Sequence, residues 1–301
     1  MAGKRYLVVT ADDFGIGDAT SQAILDLAAA GRVTGSVLLV TSPHAETAVN
    51  AWRRGGRRLE LGWHPCLTLD QPISVADTVP SLVDSNGLFL TLGKLVKRLW
   101  NGRIRHEEIE RELRAQYERF KDLVGQPPPV VNAHHHVQVF HPVGEILQRI
   151  LADQRPAPYI RRIREPWRTW RRVPGARLKR AFLNWLGRRD AALQARNGFT
   201  GNDWLAGITD PACVADPHFL TRWLSNIPGQ VVELTCHPGY FDASLIGRDC
   251  TRTDGQLQRR IQEFALLSDD GFPTACRQAG FTLISPASLN GSTLDVPTRA
   301  A

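Results

Sequence analysis

The sequence feature that most constrains the fold is an apolar run, Tyr6 to Val9, that is followed by two adjacent carboxylates, Asp12 and Asp13. Four bulky apolar residues in a row predict a strand buried on both faces, as in a parallel sheet covered by helices. Folds of this kind place their chemistry at the carboxyl ends of strands, where these aspartates fall. Side chains alternate along a strand, so the pair would point to opposite sides, one binding a metal and the other handling protons. On these residues alone, a turn that caps the next helix is an equally good interpretation.

Strand and helix patterns alternate along the chain after this first strand. Apolar runs at 36–40 and 59–62 predict buried strands, and amphipathic stretches at 18–30 and 45–54 predict the helices between them. Similar patterns predict later helices at 104–124, 142–153, 216–226, 256–267 and 273–279, and strands at 130–140, 230–234 and 281–284. Short connections between alternating strands and helices are typical of right-handed βαβ units, so we predict an α/β protein with parallel strands.

We expect a single domain, because the chain has neither an internal repeat nor a low-complexity linker. The predicted domain spans residues 1–289. Residues 155–196 fit the alternation poorly and are predicted to form a basic amphipathic insertion. Residues 290–301 are small and polar and are predicted to form a flexible tail.

Composition excludes several classes of protein. No apolar run comes near the roughly 18 residues that a membrane-spanning helix needs. The amino terminus runs into a strand without a signal-peptide pattern, so a cytoplasmic protein is expected. The five cysteines are widely spaced and form no CxxC pair, which argues against a disulfide framework or a cysteine zinc site.

Histidines lie in the carboxyl-terminal parts of three more predicted strands or directly after them: His64, the run from His134 to His136, and His237. One histidine at a strand end is usually a hydrogen-bonded structural residue, and a triple-histidine run can be a solvated loop. Strand ends that share this chemistry are better explained by one site, because a parallel barrel brings its strand ends together. One Asp and two His leave open positions on a divalent metal, which is the arrangement for hydrolysis. If 134–138 is extended, His134, His136 and Gln138 lie on one face and His135 on the other.

Four motifs make the chain similar to the YdjC-like carbohydrate deacetylases, which include chitooligosaccharide deacetylases and a deacetylase associated with hopanoid biosynthesis. The motifs are Thr-Ala-Asp-Asp-Phe-Gly at 10–15, Leu-Gly-Trp-His-Pro-Cys-Leu-Thr at 61–68, Asn-Ala-His-His-His-Val-Gln at 132–138 and Glu-Leu-Thr-Cys-His-Pro-Gly at 233–239. The resemblance implies an irregular (β/α) barrel with its active site at the carboxyl ends of the strands. It also implies removal of acetyl groups from N-acetylated amino sugars, with metal-bound water as nucleophile.

The resemblance assigns a role to each candidate residue. Asp12 is similar to the catalytic base, and His237 to the acid that assists departure of the amine. Asp13, His64 and His134 are similar to the metal ligands. The implied cofactor is one divalent ion, zinc or magnesium, with manganese, cobalt or nickel as alternatives that the ligand types do not exclude. The family also implies a homodimer.

Three further residues, His136, Gln138 and Trp63, are expected to line the substrate pocket. The sequence departs from the family pattern at Pro65, which follows the first ligand histidine and lacks a backbone donor. Gln138 replaces a frequent histidine, and Asn132 stands where many members have Asp. These departures affect the identity of the acetylated sugar more than the type of reaction.

The segment 161–189 is basic and rich in tryptophan. The chain's net charge of +7 is unevenly spread, because Glu165 is the single acid among many Arg and Lys residues between Arg155 and Arg189. Apolar residues recur at helical spacing: Leu178, Ala181, Phe182, Trp185 and Leu186. Such a helix can lie on a membrane surface and suit a lipid-linked sugar such as a hopanoid glycoside. Alternatively, its stripe packs on the barrel or its arginines form a dimer interface. Nucleic acid is a weaker candidate, because no motif that reads it accompanies the charge.

Two other functions stay open at this stage. A non-catalytic barrel that binds glycans or lipids would keep the pocket, although a binding protein has no need of a base and an acid. A hydrolase of another amide or ester would use the same residues.

Overall fold

The computed structural model describes residues 4–290, which form eight strands and ten α-helices. The strands are β1 Arg5–Phe14, β2 Gly35–Leu38, β3 Glu60–Trp63, β4 Val130–Val131, β5 Tyr159–Ile160, β6 Trp204–Ala206, β7 Val231–Cys236 and β8 Phe281–Leu283. The helices are α1 Asp18–Ala29, α2 Ala45–Arg54, α3 Leu92–Trp100, α4 His106–Val124, α5 Val143–Leu151, α6 Trp167–Arg172, α7 Arg177–Arg196, α8 Phe219–Asn226, α9 Gln256–Ser268 and α10 Gly271–Gln278. The predicted tail at 290–301 lies, except for its first residue, outside the described residues.

The strands pair in the order β5-β4-β3-β2-β1-β7-β6, with β8 beside the first half of β1, and all these pairs are parallel. The two ends of the sheet approach each other. The backbone N–H of Ile160 donates to the Thr200 carbonyl at 2.9 Å, and that of Leu205 donates to the Arg164 carbonyl at 2.8 Å. The curled sheet thus forms an irregular α/β barrel, and the prediction of the fold class is confirmed.

Strand β1 is central, and its residues from Leu7 to Phe14 are all buried. Continuous burial explains the unbroken apolar run, since each fully buried large apolar side chain stabilises the fold by about 1.5–3 kcal/mol. Because the strands are parallel, their carboxyl ends meet at one rim of the barrel. Among the described residues, no helix is both long and apolar enough to cross a membrane.

The predicted strand at 130–140 is wrong beyond Val131. A 3₁₀ segment, His134–Val139, follows β4, and within it His135 and His136 adopt left-handed backbone angles with φ of 53° and 57°. The alternation expected for an extended strand is therefore absent. The sequence patterns also do not predict α3, β5 and β6, which hold only nine, two and three residues.

Helix α7 turns a polar face inward and an apolar face outward. Its buried residues are Arg180, Leu183, Gly187, Asp190, Ala191 and Gln194. Arg180 donates from Nε to Glu165 Oε2 at 2.9 Å, so the charge of this buried side chain is paired. At Gly187, a Cβ atom would lie 2.0 Å from the Ile163 carbonyl oxygen, so only glycine permits this close approach. Leu178 and Trp185 of the apolar stripe are 88% and 68% exposed, so these two side chains do not pack on the barrel.

Candidate active site

The carboxyl ends of the strands surround a cavity of about 240 Å³. Six of the predicted site residues line it: Asp12, Asp13, His64, His134, His136 and His237. The other lining residues are His135, Lys179, Ile208, Thr209, Thr235, Asp249, Asp254, Gln256, Arg259 and Arg260. The structure thus brings residues from four separate strand ends into one space.

Two predicted pocket residues, Trp63 and Gln138, do not line the cavity. Trp63 is fully buried, and its ring packs edge-on against Tyr117 at 5.7 Å. It is the strand neighbour of His64, and neighbours on a strand point in opposite directions. Gln138 is buried within the 3₁₀ segment, where the alternation of a strand does not apply.

The two aspartates enter the cavity together, contrary to the expectation for a regular strand. The register of β1 against β2 shifts between Ala11 and Phe14, and Asp13 has a φ of 65°. Such an irregularity turns a side chain that would otherwise point to the other face. The bulge therefore makes one site from two consecutive carboxylates.

Three potential metal ligands meet at Asp13 Oδ1. His134 Nδ1 lies 3.0 Å from this oxygen, and His64 Nε2 lies 3.3 Å from it. All three side chains are at least 95% buried. Ligand atoms that each lie about 2.1 Å from one ion are about 3.0–3.4 Å apart, so the observed spacing fits a single divalent metal.

The protonation of His64 supports this interpretation. Its Nδ1 lies 2.7 Å from the backbone carbonyl oxygen of Asn132, which can only accept, so Nδ1 carries a proton. In the neutral ring, Nε2 then presents a lone pair to the carboxylate of Asp13, an arrangement that a cation between them would stabilise. A ligand histidine whose other nitrogen donates to a backbone carbonyl is the usual pattern around protein-bound metals.

A close approach of two strands brings the two histidines together. At Gly62 in β3, a Cβ atom would lie 2.2 Å from the Val130 carbonyl oxygen in β4. Only glycine therefore permits this spacing. The imidazole rings of His64 and His134, which follow these strands, have centroids 5.4 Å apart.

The second oxygen of Asp13 is held by an arginine. Arg260 in α9 donates from Nη2 to Asp13 Oδ2 at 2.7 Å and to Asp249 Oδ2 at 3.1 Å. Burial would raise the pKa of Asp13, but the charge of Arg260 and the contacts with both histidines hold that pKa well below its usual value. The carboxyl group is therefore ionised, as a metal ligand must be.

Asp12 has a different set of partners. Arg161, directly after β5, donates from Nη1 to Oδ2 at 2.6 Å and from Nη2 to Oδ1 at 2.8 Å. The Thr235 hydroxyl donates to Oδ2 at 3.0 Å, and the Asn132 amide donates to Oδ1 at 3.3 Å. Burial alone would raise the pKa of Asp12, but the bidentate Arg161 outweighs burial and holds it well below the ordinary value.

Arg161 is itself fully buried and is shared between two carboxylates. Its Nε donates to Glu233 Oε1 at 2.8 Å, and the hydroxyl of Tyr159 donates to Glu233 Oε2 at 2.9 Å. The guanidinium thus donates to carboxylates on two strands, Asp12 in β1 and Glu233 in β7. A buried network of this kind orients Asp12 rigidly.

His237 follows β7 and lies beside Asp12 in the cavity. Its Nε2 lies 3.8 Å from Asp12 Oδ2, and its side chain is 26% exposed to the cavity. Its Nδ1 lies 3.2 Å from Nη2 of Arg259. Burial and the charge of Arg259 lower the pKa of His237 to about 4, so the ring is neutral near pH 7.

Sequence reasoning missed three arginines that contact the predicted residues: Arg161, Arg259 and Arg260. Arg161 lies within a segment with many arginines and has no local feature that distinguishes it. Arg259 and Arg260 do leave a signal, because with Glu263 they form a polar stripe at helical spacing on α9. A polar stripe that points inward indicates partners that are also buried.

Comparisons with known proteins match this chain over most of its length. A family model described as YdjC-like protein matches residues 6–278. A carbohydrate deacetylase from Geobacillus stearothermophilus is 29% identical over 289 residues, which cover 93% of this chain and 96% of that protein. A chitooligosaccharide deacetylase from Klebsiella pneumoniae (strain 342) is 26% identical over 286 residues, covering 93% and 97%. A crystal structure of an Enterococcus faecalis V583 protein, named as a candidate cellobiose-phosphate cleavage protein, superposes with a TM-score of 0.74 at 25% identity and covers 96% of this chain and 100% of that one.

Proposed function

The chain belongs to the YdjC-like protein family, and on that premise we propose that it is a metal-dependent hydrolase that removes the acetyl group from an N-acetylated amino sugar. The observation that carries this proposal is the convergence of Asp13, His64 and His134 beside Asp12 and His237 in one cavity. The names of the curated relatives support it, since they are carbohydrate and chitooligosaccharide deacetylases that align over 93% of the chain. The substrate class is an N-acetylglucosamine-type glycan or glycolipid.

Asp13, His64 and His134 would hold the divalent ion. When bound, such an ion supplies Lewis acidity, which lowers the pKa of water and stabilises negative charge on a carbonyl oxygen by several kcal/mol. One carboxylate and two imidazoles accept zinc or magnesium, and also manganese, cobalt or nickel. Arg260 keeps Asp13 ionised and oriented toward the two histidines.

Asp12 is the proposed base. It is ionised and rigidly held, and it lies beside the proposed metal ligand Asp13, so it can accept a proton from the attacking water. Its four hydrogen bonds occupy its main acceptor positions. Of these four donors only the Thr235 hydroxyl is a single-bond rotor, so it is the donor that would turn away to free Oδ2 for the proton. His237, whose Nε2 lies 3.8 Å from Oδ2, assists departure of the amine.

Release of acetate from a panel of acetylated compounds tests the proposal. The panel holds N,N′-diacetylchitobiose, an N-acetylglucosaminyl hopanoid, a simple acetyl ester and an unrelated acetamide, each assayed with and without chelator. We expect acetate from an amino sugar, loss of activity with chelator and recovery on adding a divalent ion. His134→Ala should abolish release, whereas the exposed His218→Ala should not.

Each other outcome identifies an alternative. Binding of metal and sugar without acetate release would indicate a non-catalytic barrel. Release only from the ester or the unrelated acetamide would indicate another hydrolase. Release that survives both chelation and His134→Ala would contradict the proposed metal dependence.

We further propose that this protein is cytoplasmic and lies on the inner face of a membrane. Its substrate would be presented at that membrane surface. Large apolar side chains are exposed on α3, α6 and α7: Trp100, Trp167, Leu178, Phe182 and Trp185. A groove of about 400 Å³ lies between α3 and α7. Exposed cations lie on the same three helices: Lys94, Lys97, Arg168, Arg171, Arg172, Arg188 and Arg189. Aromatic anchors with basic neighbours suit an anionic lipid surface.

Co-sedimentation with vesicles tests this contact. The double variant Leu178→Ser/Trp185→Ser should lose binding to vesicles that contain anionic lipid, while acetate release from a water-soluble substrate persists. Light scattering on the same samples measures the proposed homodimer. If the variant dissociates a dimer and wild type ignores the vesicles, the exposed apolar side chains form a dimer interface.

A further inference from the structure

The contact between His237 and Arg259 determines which nitrogen of the imidazole carries the proton. Nη2 of Arg259 lies 3.2 Å from Nδ1 of His237. A guanidinium group has only donors and stays protonated in proteins, so Nδ1 must be the acceptor. The proton of the neutral ring is therefore on Nε2.

Arg259 is held in this position by Glu263, four residues further along α9. Nε of Arg259 donates to Glu263 Oε1 at 2.7 Å, and the backbone N–H of His237 donates to the other oxygen, Oε2. Arg259 is 8% exposed and Glu263 is 3% exposed. The two side chains thus form a buried clamp, which fixes both the backbone and the ring of His237.

The Nε2 side of the ring points toward the proposed chemistry. Nε2 lies 3.8 Å from Asp12 Oδ2, which is beyond a direct hydrogen bond. Its hydrogen is therefore available to a molecule in the cavity. The charged and titratable groups that act on the ring are Asp12 and Asp13 from β1, Arg259 and Glu263 from α9, and His136 from the 3₁₀ segment.

We propose that Arg259 is a positioning residue that holds His237 as a neutral hydrogen-bond donor and prevents it from becoming an imidazolium. This proposal rests on the proposed deacetylase function for what His237 donates to, although the tautomer itself does not depend on it. Protonation of the ring would have to occur at Nδ1, the atom that Arg259 occupies. A low pKa of His237 agrees with this arrangement.

The consequence concerns the source of the proton that leaves with the amine. Asp12 takes one proton from water as the C–O bond forms, and it returns that proton to the amide nitrogen as the C–N bond breaks. The products are acetic acid and the free amine, and Asp12 is again a carboxylate. His237 keeps its proton throughout and donates a hydrogen bond from Nε2 to the scissile amide. A neutral histidine that polarises its substrate in this way is a known catalytic pattern.

Nitrogen-15 NMR of histidine-labelled full-length protein tests the tautomer directly, both metal-free and loaded with Zn²⁺. His237→Gln assigns the resonances by removing them. In wild type we expect a protonated Nε2 and an unprotonated Nδ1 from pH 5.5 to 8. In Arg259→Gln we expect His237 to become protonated at a higher pH and the acid limb of kcat/KM to move in the same direction.

Two variants separate this role from simple folding. Arg259→Lys keeps a cationic donor and should retain the wild-type tautomer, and the exposed neighbour Gln258→Ala should change nothing. A wild-type His237 that carries its proton on Nδ1 would overturn the proposal, as would an Arg259→Gln protein whose tautomer and pH profile are unchanged. Absence of acetate release with the expected tautomer would instead contradict the proposed function and leave the positioning of His237 supported.

Discussion

The cavity has two halves that treat neighbouring aspartates in opposite ways. In the metal half (Asp13, His64 and His134), Asp13 gives one oxygen to Arg260 and turns the other toward two histidine nitrogens. In the proton half (Asp12 and His237), both oxygens of Asp12 are engaged by Arg161. The same residue type thus becomes a proposed ligand or a proposed base, because the hydrogen bonds around it differ.

The largest expected effect comes from removing the shared ligand of the metal half. Asp13→Ala should eliminate metal binding and lower acetate release by about 10³-fold or more, since the ion supplies several kcal/mol of stabilisation. Calorimetric metal titration and an acetate assay measure the two effects. Metal binding that is unchanged in the variant would show that Asp13 is not a ligand.

The second prediction breaks the proton half while it leaves the metal half intact. Asp12→Asn keeps the size of the side chain but removes the base, so acetate release should fall by about 10²–10⁴-fold. Metal binding should persist, because in the described part of the chain Asp12 makes no hydrogen bond or ion pair with His64 or His134. If Asp12→Asn loses the metal as Asp13→Ala does, the division between the halves is wrong.

The third prediction concerns stability rather than chemistry. Arg161→Met leaves Asp12 and Glu233 buried without a cation, which should lower the free energy of unfolding at pH 7 by about 3–5 kcal/mol. Arg162→Met is the control, because the Arg162 guanidinium donates to the Phe199 carbonyl at 2.8 Å and not to a carboxylate. It should lower the free energy of unfolding by less than Arg161→Met does. Urea unfolding of both variants measures the difference.

The pH dependence of that loss follows from the lowered pKa of Asp12. A carboxyl group with a lowered pKa in the folded state contributes stability above its unfolded pKa of about 4, and loses that contribution as the pH falls. The difference in free energy of unfolding between wild type and Arg161→Met should therefore become smaller below about pH 4. A difference that is constant with pH would contradict an ionic role for Arg161.

The smallest expected effect comes from Asp190, a buried carboxylate whose side-chain hydrogen bonds in the described structure come from glutamines and not from an arginine. It serves as a reference for Asp12 and Asp13. Asp190 accepts from the amides of Gln148 and Gln194 at 3.0 and 2.8 Å, and burial raises its pKa to about 7. Because the pKa of Asp190 is higher in the folded state than in the unfolded state, its ionisation favours unfolding, and the free energy of unfolding falls as the pH rises from about 4 to 7. Relative to Asp190→Asn, the free energy of unfolding of the wild type should thus fall by about 1–3 kcal/mol between pH 4 and pH 7. Urea unfolding at pH 4 and pH 7 checks the sign, and a wild type that gains stability would contradict it.

Much of the candidate site could be predicted because its signals are local. The buried strand before Asp12 and the histidines after the other strands are short patterns that backbone geometry translates directly into position. Helix α2 begins and ends where its pattern predicts. The alternation rule failed at Asp13 and from His134 onward, because a bulge and left-handed backbone angles interrupt the extended conformation there.

Helix α7 shows why a hydrophobic pattern does not always identify the inner face. Its apolar stripe is partly exposed, whereas Arg180 and Asp190 face the barrel. Burying Arg180 is tolerated because Glu165 pairs with it, and that pairing depends on a segment outside the helix. Helical periodicity identifies an apolar and a polar face, but it does not show which of the two packs against the barrel.

The sequence by itself determined the parallel α/β barrel and the rim at which the carboxylates and histidines gather, because strand formation and chain direction depend on residues close together in the chain. Only the tertiary structure decided how Asp12 and Asp13 divide their partners, and which arginines hold Asp12, Asp13 and His237. Long side chains reach across elements, so Arg161, Arg259 and Arg260 contact whatever the fold places beside them. Those contacts depend on packing and charge in three dimensions, which no local pattern contains.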